Sequence, residues 1–297
     1  MLEIYNYNAG KGDCLRIRFA GISGKVHNIM IDSGVIRFGS SFKSICEGIH
    51  KASETVDYLF ITHEDEDHLG GLLWNLRNKN DVHVTEVKMN GNAFYNLYLS
   101  TQQSNAVYKL LTEQSVPITP ALSGDVIKVD GATIKVLRPG KEQAASHFYP
   151  KVPLSYQSDY GYTFEELMDK EIMMTDLSQS NKSSIVFEFL YEGKRILFTG
   201  DVWAEDIVNV AADKYDIIKL PHHGSVRNIS ESWEKMKCNR FIICTDGVMH
   251  PDKQTLAKLQ KWNGDITVYG SNPWWNKMMY PDEACNISFV KGECITC

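Results

Sequence analysis

The chain has 297 residues, a net charge of −6, and a hydrophobic fraction of 43% of which aromatics account for 11% of the sequence, which suits a globular protein with a sizeable core. It carries no basic tail or polybasic run, which excludes a broad nucleic-acid-binding face, because neutralising phosphates takes clustered Lys and Arg; a nucleic acid held mainly through metal stays open. No apolar run approaches the roughly 20 residues of a membrane-spanning helix, the first residues lack a signal-peptide pattern, and the seven scattered cysteines read as reduced thiols of a cytoplasmic protein.

Residues 2–8 alternate apolar and polar side chains as a half-buried strand does, and 14–19 repeat the pattern after the turn Ala9-Gly10-Lys11-Gly12-Asp13. A third strand, 28–34, ends in Asp32-Ser33-Gly34, so these units read as a meander that starts a sheet. A short helix at 41–49 and a buried strand at 56–61 follow, then a helix at 69–77, a strand at 82–89 and a helix at 101–114. Residues 125–129 and 133–137 flank Asp130-Gly131, a hairpin signal.

Residues 139–181 have no consistent period and read as a lid or binding insertion, with a short helix at 164–169. His147 and the tyrosines at 149, 156, 160 and 162 either face a substrate or fasten this segment to the body. Strands at 184–191 and 195–198 form a second hairpin that ends in Thr199-Gly200-Asp201. A helix at 204–212, a strand at 217–220, the run Pro221-His222-His223-Gly224-Ser225, a strand at 240–244, a helix at 252–262 and strands at 266–269 and 287–290 complete the pattern. Trp274 and Trp275 suit core packing, a substrate platform or an interface, and Cys294 and Cys297 form a CxxC in what reads as a frayed tail. Both halves run strands first and helices after, which predicts an α/β fold of one domain, 1–297: two sheets face to face with helices outside, a four-layer α-β-β-α sandwich.

The strand 56–61 opens into His63-Glu64-Asp65-Glu66-Asp67-His68, two imidazoles and four carboxylates in six residues, at the end of a strand where α/β proteins place chemistry. An acidic, solvated loop at a helix start explains the acids but neither the histidines nor the placement. Asp201 and the His222, His223 pair lie at the ends of other predicted strands. A carboxylate such as Asp201 can bridge two cations, and a two-metal site clamps attacking and leaving oxygens and supplies hydroxide at neutral pH. Hard oxygen donors mixed with imidazole suit Zn²⁺ or Mn²⁺. Asp32 either supports the metal loop from behind or caps a turn.

The order Asp32-Ser-Gly, His63-x-Asp65-x-Asp67-His68, Thr199-Gly-Asp201 and a late histidine resembles the metallo-β-lactamase superfamily. Asp65 stands where the commoner pattern has histidine. Together with Ala9-Gly-Lys-Gly-Asp13, Asn181-Lys-Ser-Ser184, His222-His-Gly-Ser225 and His250-Pro251, it is similar to the branch formed by the soluble hydrolase domain of the DNA-uptake competence protein ComEC and its stand-alone relatives. The resemblance implies that His63 and Asp65 hold one metal and Asp67 and His68 the other. Asp201 would bridge them, and one of the late pair would complete the second site, His222 favoured as ligand and His223 as a donor behind it or proton carrier. Asp67 and His223 are thereby the catalytic candidates. Asp32, Asn181, Ser184, Ser225 and His250 would support the ligands; Asn181 and Ser184 stand where the superfamily often has a further histidine, so the first site is expected to be ligand-poor.

These readings converge on a hydrolase with two divalent metal ions, Zn or Mn, using metal-activated hydroxide on a phosphodiester, with single-stranded nucleic acid among its candidate substrates. The alternatives are a hydrolase of a small ester, lactone or phosphate ester, and a metal-binding interaction module with little turnover.

Overall fold

Alternating burial along the first two strands sets the architecture of the protein, whose computed structural model describes residues 1–91, 102–144, 158–173, 175–280, 283 and 285–297. His147, Tyr149 and Tyr156 lie outside the described residues. The first half supplies β1 (Leu2–Asn6), β2 (Leu15–Ala20), β3 (Val26–Ile31), β4 (Thr55–Ile61), β5 (Val84–Met89) and β6 (Ile118–Thr119). The second supplies β7 (Val126–Val129), β8 (Ala132–Arg138), β9 (Val186–Tyr191), β10 (Lys194–Phe198), β11 (Ile217–Lys219), β12 (Arg240–Ile243), β13 (Ile266–Gly270) and β14 (Ile287–Lys291). The chain closes with β15 (Cys294–Thr296), which returns to the first sheet. The sheets run β15-β1-β2-β3-β4-β5-β6 and β14-β13-β12-β11-β10-β9-β8-β7. Pairing is parallel from β3 to β6 and from β10 to β14.

Because successive side chains point to opposite faces, central strands such as β3, β4, β10 and β12 feed two cores. Ile4, Ile17 and Phe60 of the first sheet meet Phe187, Phe198 and Ile217 of the second between the sheets, with the Phe60 and Phe187 rings stacked at 4.7 Å. On the outer face of the first sheet lie the helices α1 (Gly39–Lys51), α2 (Glu66–Arg77) and α3 (Gln102–Glu113). In α2, Leu69, Leu72, Leu73 and Leu76 recur at helical spacing and are all buried in that outer core. Helix α4 (Lys253–Asn263) packs Leu256, Ala257 and Leu259 with Ile218, Phe241 and Val268 on the outer face of the second sheet. The fold is the expected four-layer α-β-β-α sandwich. No helix among the described residues is long and apolar enough to cross a membrane.

Several details depart from the sequence pattern. Residues 294–297 are not a frayed tail: Cys294, Ile295 and Thr296 pair antiparallel with Tyr5, Ile4 and Glu3, and Ile295 is buried between the sheets. The helix from 204 ends at Val208, and the Ala212 N–H donates to the Tyr215 hydroxyl at 2.7 Å instead of to a helical carbonyl. Strand β5 begins at Val84 because His83 adopts φ 49°, outside the β region. Trp274 is buried, and Trp275 stacks on Phe289 at 5.2 Å, so this pair packs in the outer core. Within the segment expected as a lid, residues 158–173 are fastened to the body. The Asp159 carboxylate accepts the Lys253 and Gln254 N–H groups at the start of α4 (2.9 and 2.7 Å), Tyr160 donates its hydroxyl to the Pro251 carbonyl (2.9 Å), and Phe164 and Leu167 are buried beside α4.

Candidate metal centre

The carboxyl ends of parallel strands from both sheets converge on one place. β3 runs into Asp32, β4 into the His63 to His68 loop, β10 into Asp201, and β11 into His222 and His223. The metal loop is seated by close backbone packing: Gly71 in α2 lies so near Ser33 that a Cβ there would meet its carbonyl oxygen. The histidine pair occupies a tight turn in which both residues adopt positive φ, 46° and 55°, a conformation that side chains other than Gly rarely take without a structural demand.

Asp201 is the focus. Its Oδ2 lies 3.3 Å from His68 Nε2, 3.6 Å from His223 Nε2, 3.9 Å from His63 Nε2 and 4.0 Å from His222 Nε2. Its Oδ1 is turned away, accepting the His222 N–H at 3.2 Å with the Lys219 ammonium 3.7 Å off. The Asp201 N–H donates to Ser184 Oγ (3.1 Å), which fixes the turn. Asp65 Oδ2 sits 3.7 Å from His63 Nε2 while its Oδ1 accepts the Ser180 hydroxyl at 2.7 Å, and Asp67 Oδ2 sits 3.6 Å from His223 Nε2.

The imidazoles are held from behind. His68 Nδ1 is 2.8 Å from Asp32 Oδ2, and the same carboxylate accepts the Thr62 N–H (2.7 Å) and hydroxyl (2.8 Å). His223 Nδ1 faces the Cys244 carbonyl at 2.9 Å and Asp13 Oδ1 at 3.1 Å. A carbonyl only accepts, so the neutral His223 ring carries its proton on Nδ1 and presents the Nε2 lone pair to the cluster. His222 Nδ1 lies 3.0 Å from Asn228 Oδ1 and 3.3 Å from both Asp176 Oδ2 and Asn181 Nδ2.

Three groups have ligand atoms all within 4.8 Å of one another: His63, His68 and Asp201; Asp67, His68 and His223; and Asp13, Asp32 and His68. The donor set fits a cation on an independent ground. The Nε2 atoms of His63, His68 and His223 are buried and have no hydrogen-bond partner among the described residues, although a buried polar atom left unpaired costs about 1–3 kcal/mol. Without a cation, the cluster balances itself by sharing protons. Burial opposes charge on His68 and His223, but Asp201 and Asp32 hold the His68 pKa well above its usual value, and Asp201 and Asp13 push that of His223 up to about 10. Against the same burial, His68 and His223 hold the Asp201 carboxyl well below the usual carboxylate range, and the neighbouring His223 and His68 imidazoles do so for Asp67.

The seven residues expected as metal ligands or catalytic groups, His63, Asp65, Asp67, His68, Asp201, His222 and His223, lie together here. The distances rank the late pair opposite to the expectation from sequence. His223 is nearer to Asp201 and lies beside Asp67, whereas the His222 side chain is 27% exposed. Among the supporting residues, Asp32, Asn181 and Ser184 touch the cluster as described above. His250 stands beside it with its ring 5.1 Å from His222 and its pKa lowered by burial. The Ser225 hydroxyl instead accepts the Arg227 N–H in the following turn.

Four contributors were not singled out from sequence: Asp13, Lys219, Asp176 and Asn228. Lys219 is fully buried, forms an ion pair with Asp13 and donates to the Gly200 carbonyl at 3.1 Å. Strand alternation carries the signal: Ile217 points between the sheets, so Lys219, two residues on, does too. Asp176 accepts from Asn181 Nδ2 (2.6 Å) and Asn228 Nδ2 (2.9 Å), tying the support of His222 together.

Comparison with known proteins agrees with this geometry. The family model of the metallo-beta-lactamase superfamily matches residues 21–157. The chain is 22% identical over 219 residues to ComE operon protein 3 of Bacillus subtilis (strain 168), covering 71% of this chain and 23% of that protein's length. Among solved structures it is similar to the metallo-beta-lactamase fold protein YhfI from Bacillus subtilis, with TM-score 0.53, 8% identity, and coverage of 91% of this chain and 95% of that one. Residues 21–157 thus match the metallo-beta-lactamase superfamily in sequence, and the chain as a whole shares the fold of a metallo-beta-lactamase fold protein.

Proposed function

We propose that the protein is a metal-dependent hydrolase with a two-metal site, acting on a phosphodiester, with single-stranded nucleic acid as the first substrate to test. The observation that carries this reading is the convergence of four imidazole Nε2 atoms on one carboxylate oxygen, Asp201 Oδ2, at 3.3 to 4.0 Å. His63, Asp65 and Asp201 are the ligands for one cation, and Asp67, His68, His223 and Asp201 for the other. Two divalent cations there, Zn or Mn, supply an acidified water and a clamp on the attacking and leaving oxygens. The ligand set is rich in hard carboxylate oxygen, which favours Mn²⁺ more than an all-histidine first site would.

His222, partly exposed and held by Asn228 and Asp176, is suited to carry a proton to the leaving oxygen through Nε2. Asp32, Asp13 and the Cys244 carbonyl keep His68 and His223 oriented with Nε2 toward the cluster. The similarity to ComE operon protein 3 supports this reading only for a segment, since the chain spans under a quarter of that protein. One observation favours a smaller ester instead: the cavity beside the cluster, bounded by Lys11, Asp67, His222 and His223, holds only about 260 Å³.

The test is cleavage of end-labelled single-stranded DNA in Mn²⁺ by wild type and by Asp67→Asn. Cleavage by wild type alone is the expected result. Equal cleavage by both would sink the two-metal assignment, and none by either would turn the reading to a small ester or phosphate.

A further inference from the structure

In the turn of residues 9–13 only Asp13 enters the assignments above, yet the residues flanking Lys11 are each closely constrained. Gly10 adopts φ 73°. Gly12 lies against the metal loop so closely that a Cβ would run into the Asp67 carbonyl oxygen. The Asp13 N–H donates to that same carbonyl at 3.2 Å, the Asp13 carbonyl accepts the Gly34 N–H at 2.7 Å, and the Asp13 carboxylate is buried against Lys219 and His223. Lys11 alone faces outward, its side chain 57% exposed and its Nζ 3.7 Å from Asp67 Oδ2.

It lines the 260 Å³ cavity together with Asp67 and the two late histidines. Val248 and Met249, 67% and 52% exposed despite being apolar, line it as well. Lys11 is the one Lys or Arg among the described residues lining that cavity. Stability does not account for the arrangement, because an ion pair this exposed contributes little. A cation mounted on a rigid turn beside a hydrolytic centre is instead suited to meet an anion, since holding a charged group costs less when the donor is already in place.

We propose that Lys11 is the anion-binding residue of the substrate cavity, donating from Nζ to a non-bridging oxygen of a phosphoryl group while Val248 and Met249 face the organic part of the ester. This rests on the hydrolase reading above and adds the class of group recognised. The test is calorimetric titration of inorganic phosphate into the manganese-loaded protein, comparing wild type, Lys11→Gln and Lys11→Arg, with the manganese content of each measured alongside.

A charge-assisted hydrogen bond of the usual strength predicts that Lys11→Gln weakens phosphate binding about tenfold or more, that Lys11→Arg restores most of it, and that metal content does not change. Equal phosphate affinity in wild type and Lys11→Gln, or no phosphate binding by wild type, overturns the proposal. So does a loss of metal in Lys11→Gln that accounts for the weakened binding, because Lys11 would then serve only to neutralise Asp67. Failure here is separable from failure of the phosphodiester reading. DNA cleavage with phosphate affinity independent of residue 11 removes Lys11 and leaves the nuclease. Lys11-dependent phosphate binding without DNA cleavage keeps the anion site and removes the polymer.

Discussion

Changing Lys219 to Met keeps most of the apolar stem of the side chain and removes the ammonium with its charge and its hydrogen bond. The ammonium is buried, pairs with Asp13, donates to the Gly200 carbonyl at 3.1 Å and lies 3.7 Å from Asp201 Oδ1. Burial works to raise the Asp13 pKa, and Lys219, then His223, hold it at about 2. Lys219→Met therefore leaves a carboxylate in the interior without its principal partner, a change that costs about 3–5 kcal/mol, a large share of the roughly 5–15 kcal/mol that holds a protein folded. Replacing both partners, Lys219→Met with Asp13→Asn, removes the stranded charge. His223 Nδ1 keeps the Cys244 carbonyl, so the double variant is expected to recover about 2 kcal/mol relative to the sum of the single changes. The assay is urea unfolding followed by tryptophan fluorescence at pH 7 in chelator. A loss below about 1 kcal/mol in Lys219→Met, or additivity of the two changes within about 0.5 kcal/mol, would refute the reasoning.

Two further outcomes follow from the cluster. Asp65→His exchanges a hard, charged donor for a neutral imidazole and raises affinity for Zn²⁺ relative to Mn²⁺; competition dialysis against both ions reads it, and an unchanged ratio counts against the assignment of Asp65. In the metal-free protein, the pKa of His223 stands at about 10 against 6.5 for an unperturbed ring. The folded state therefore binds the extra proton, and this stabilising contribution is complete below about pH 6.5 and lost as pH rises through about 10. The unfolding midpoint in chelator should fall between pH 7 and 10, while metal affinity rises over the same window with protons released to the buffer. A flat profile in both measurements would show that His223 is not protonated in that state.

What the sequence made legible was whatever a strand end announces locally. His63 to His68 after β4, Asp201 after β10 and the histidine pair after β11 each follow a short apolar run, so their convergence could be expected from topology alone. The support behind them was hidden because its partners are distant in the chain. Asp13 meets Lys219 across 206 positions, and nothing near either residue signals the other. A lysine at a strand end is usually exposed, and only the alternation from Ile217 turns Lys219 inward. The last four residues were misjudged for a similar reason. The order of Cys294, Ile295 and Thr296 comes from pairing with β1 at the opposite end of the chain. The ranking of His222 and His223 depended on two positive-φ residues in one turn, which residue type does not reveal.

The central claim is that Asp201 is shared between two cations. Its most direct test is equilibrium dialysis against Mn²⁺ with elemental analysis of wild type and Asp201→Asn, a substitution that preserves shape while removing the charge facing four imidazoles. The account predicts two manganese ions per wild-type chain and a loss of both, or retention of one held weakly, in Asp201→Asn. A wild-type chain that binds no metal, or an Asp201→Asn chain that still holds two with unchanged affinity, would contradict it.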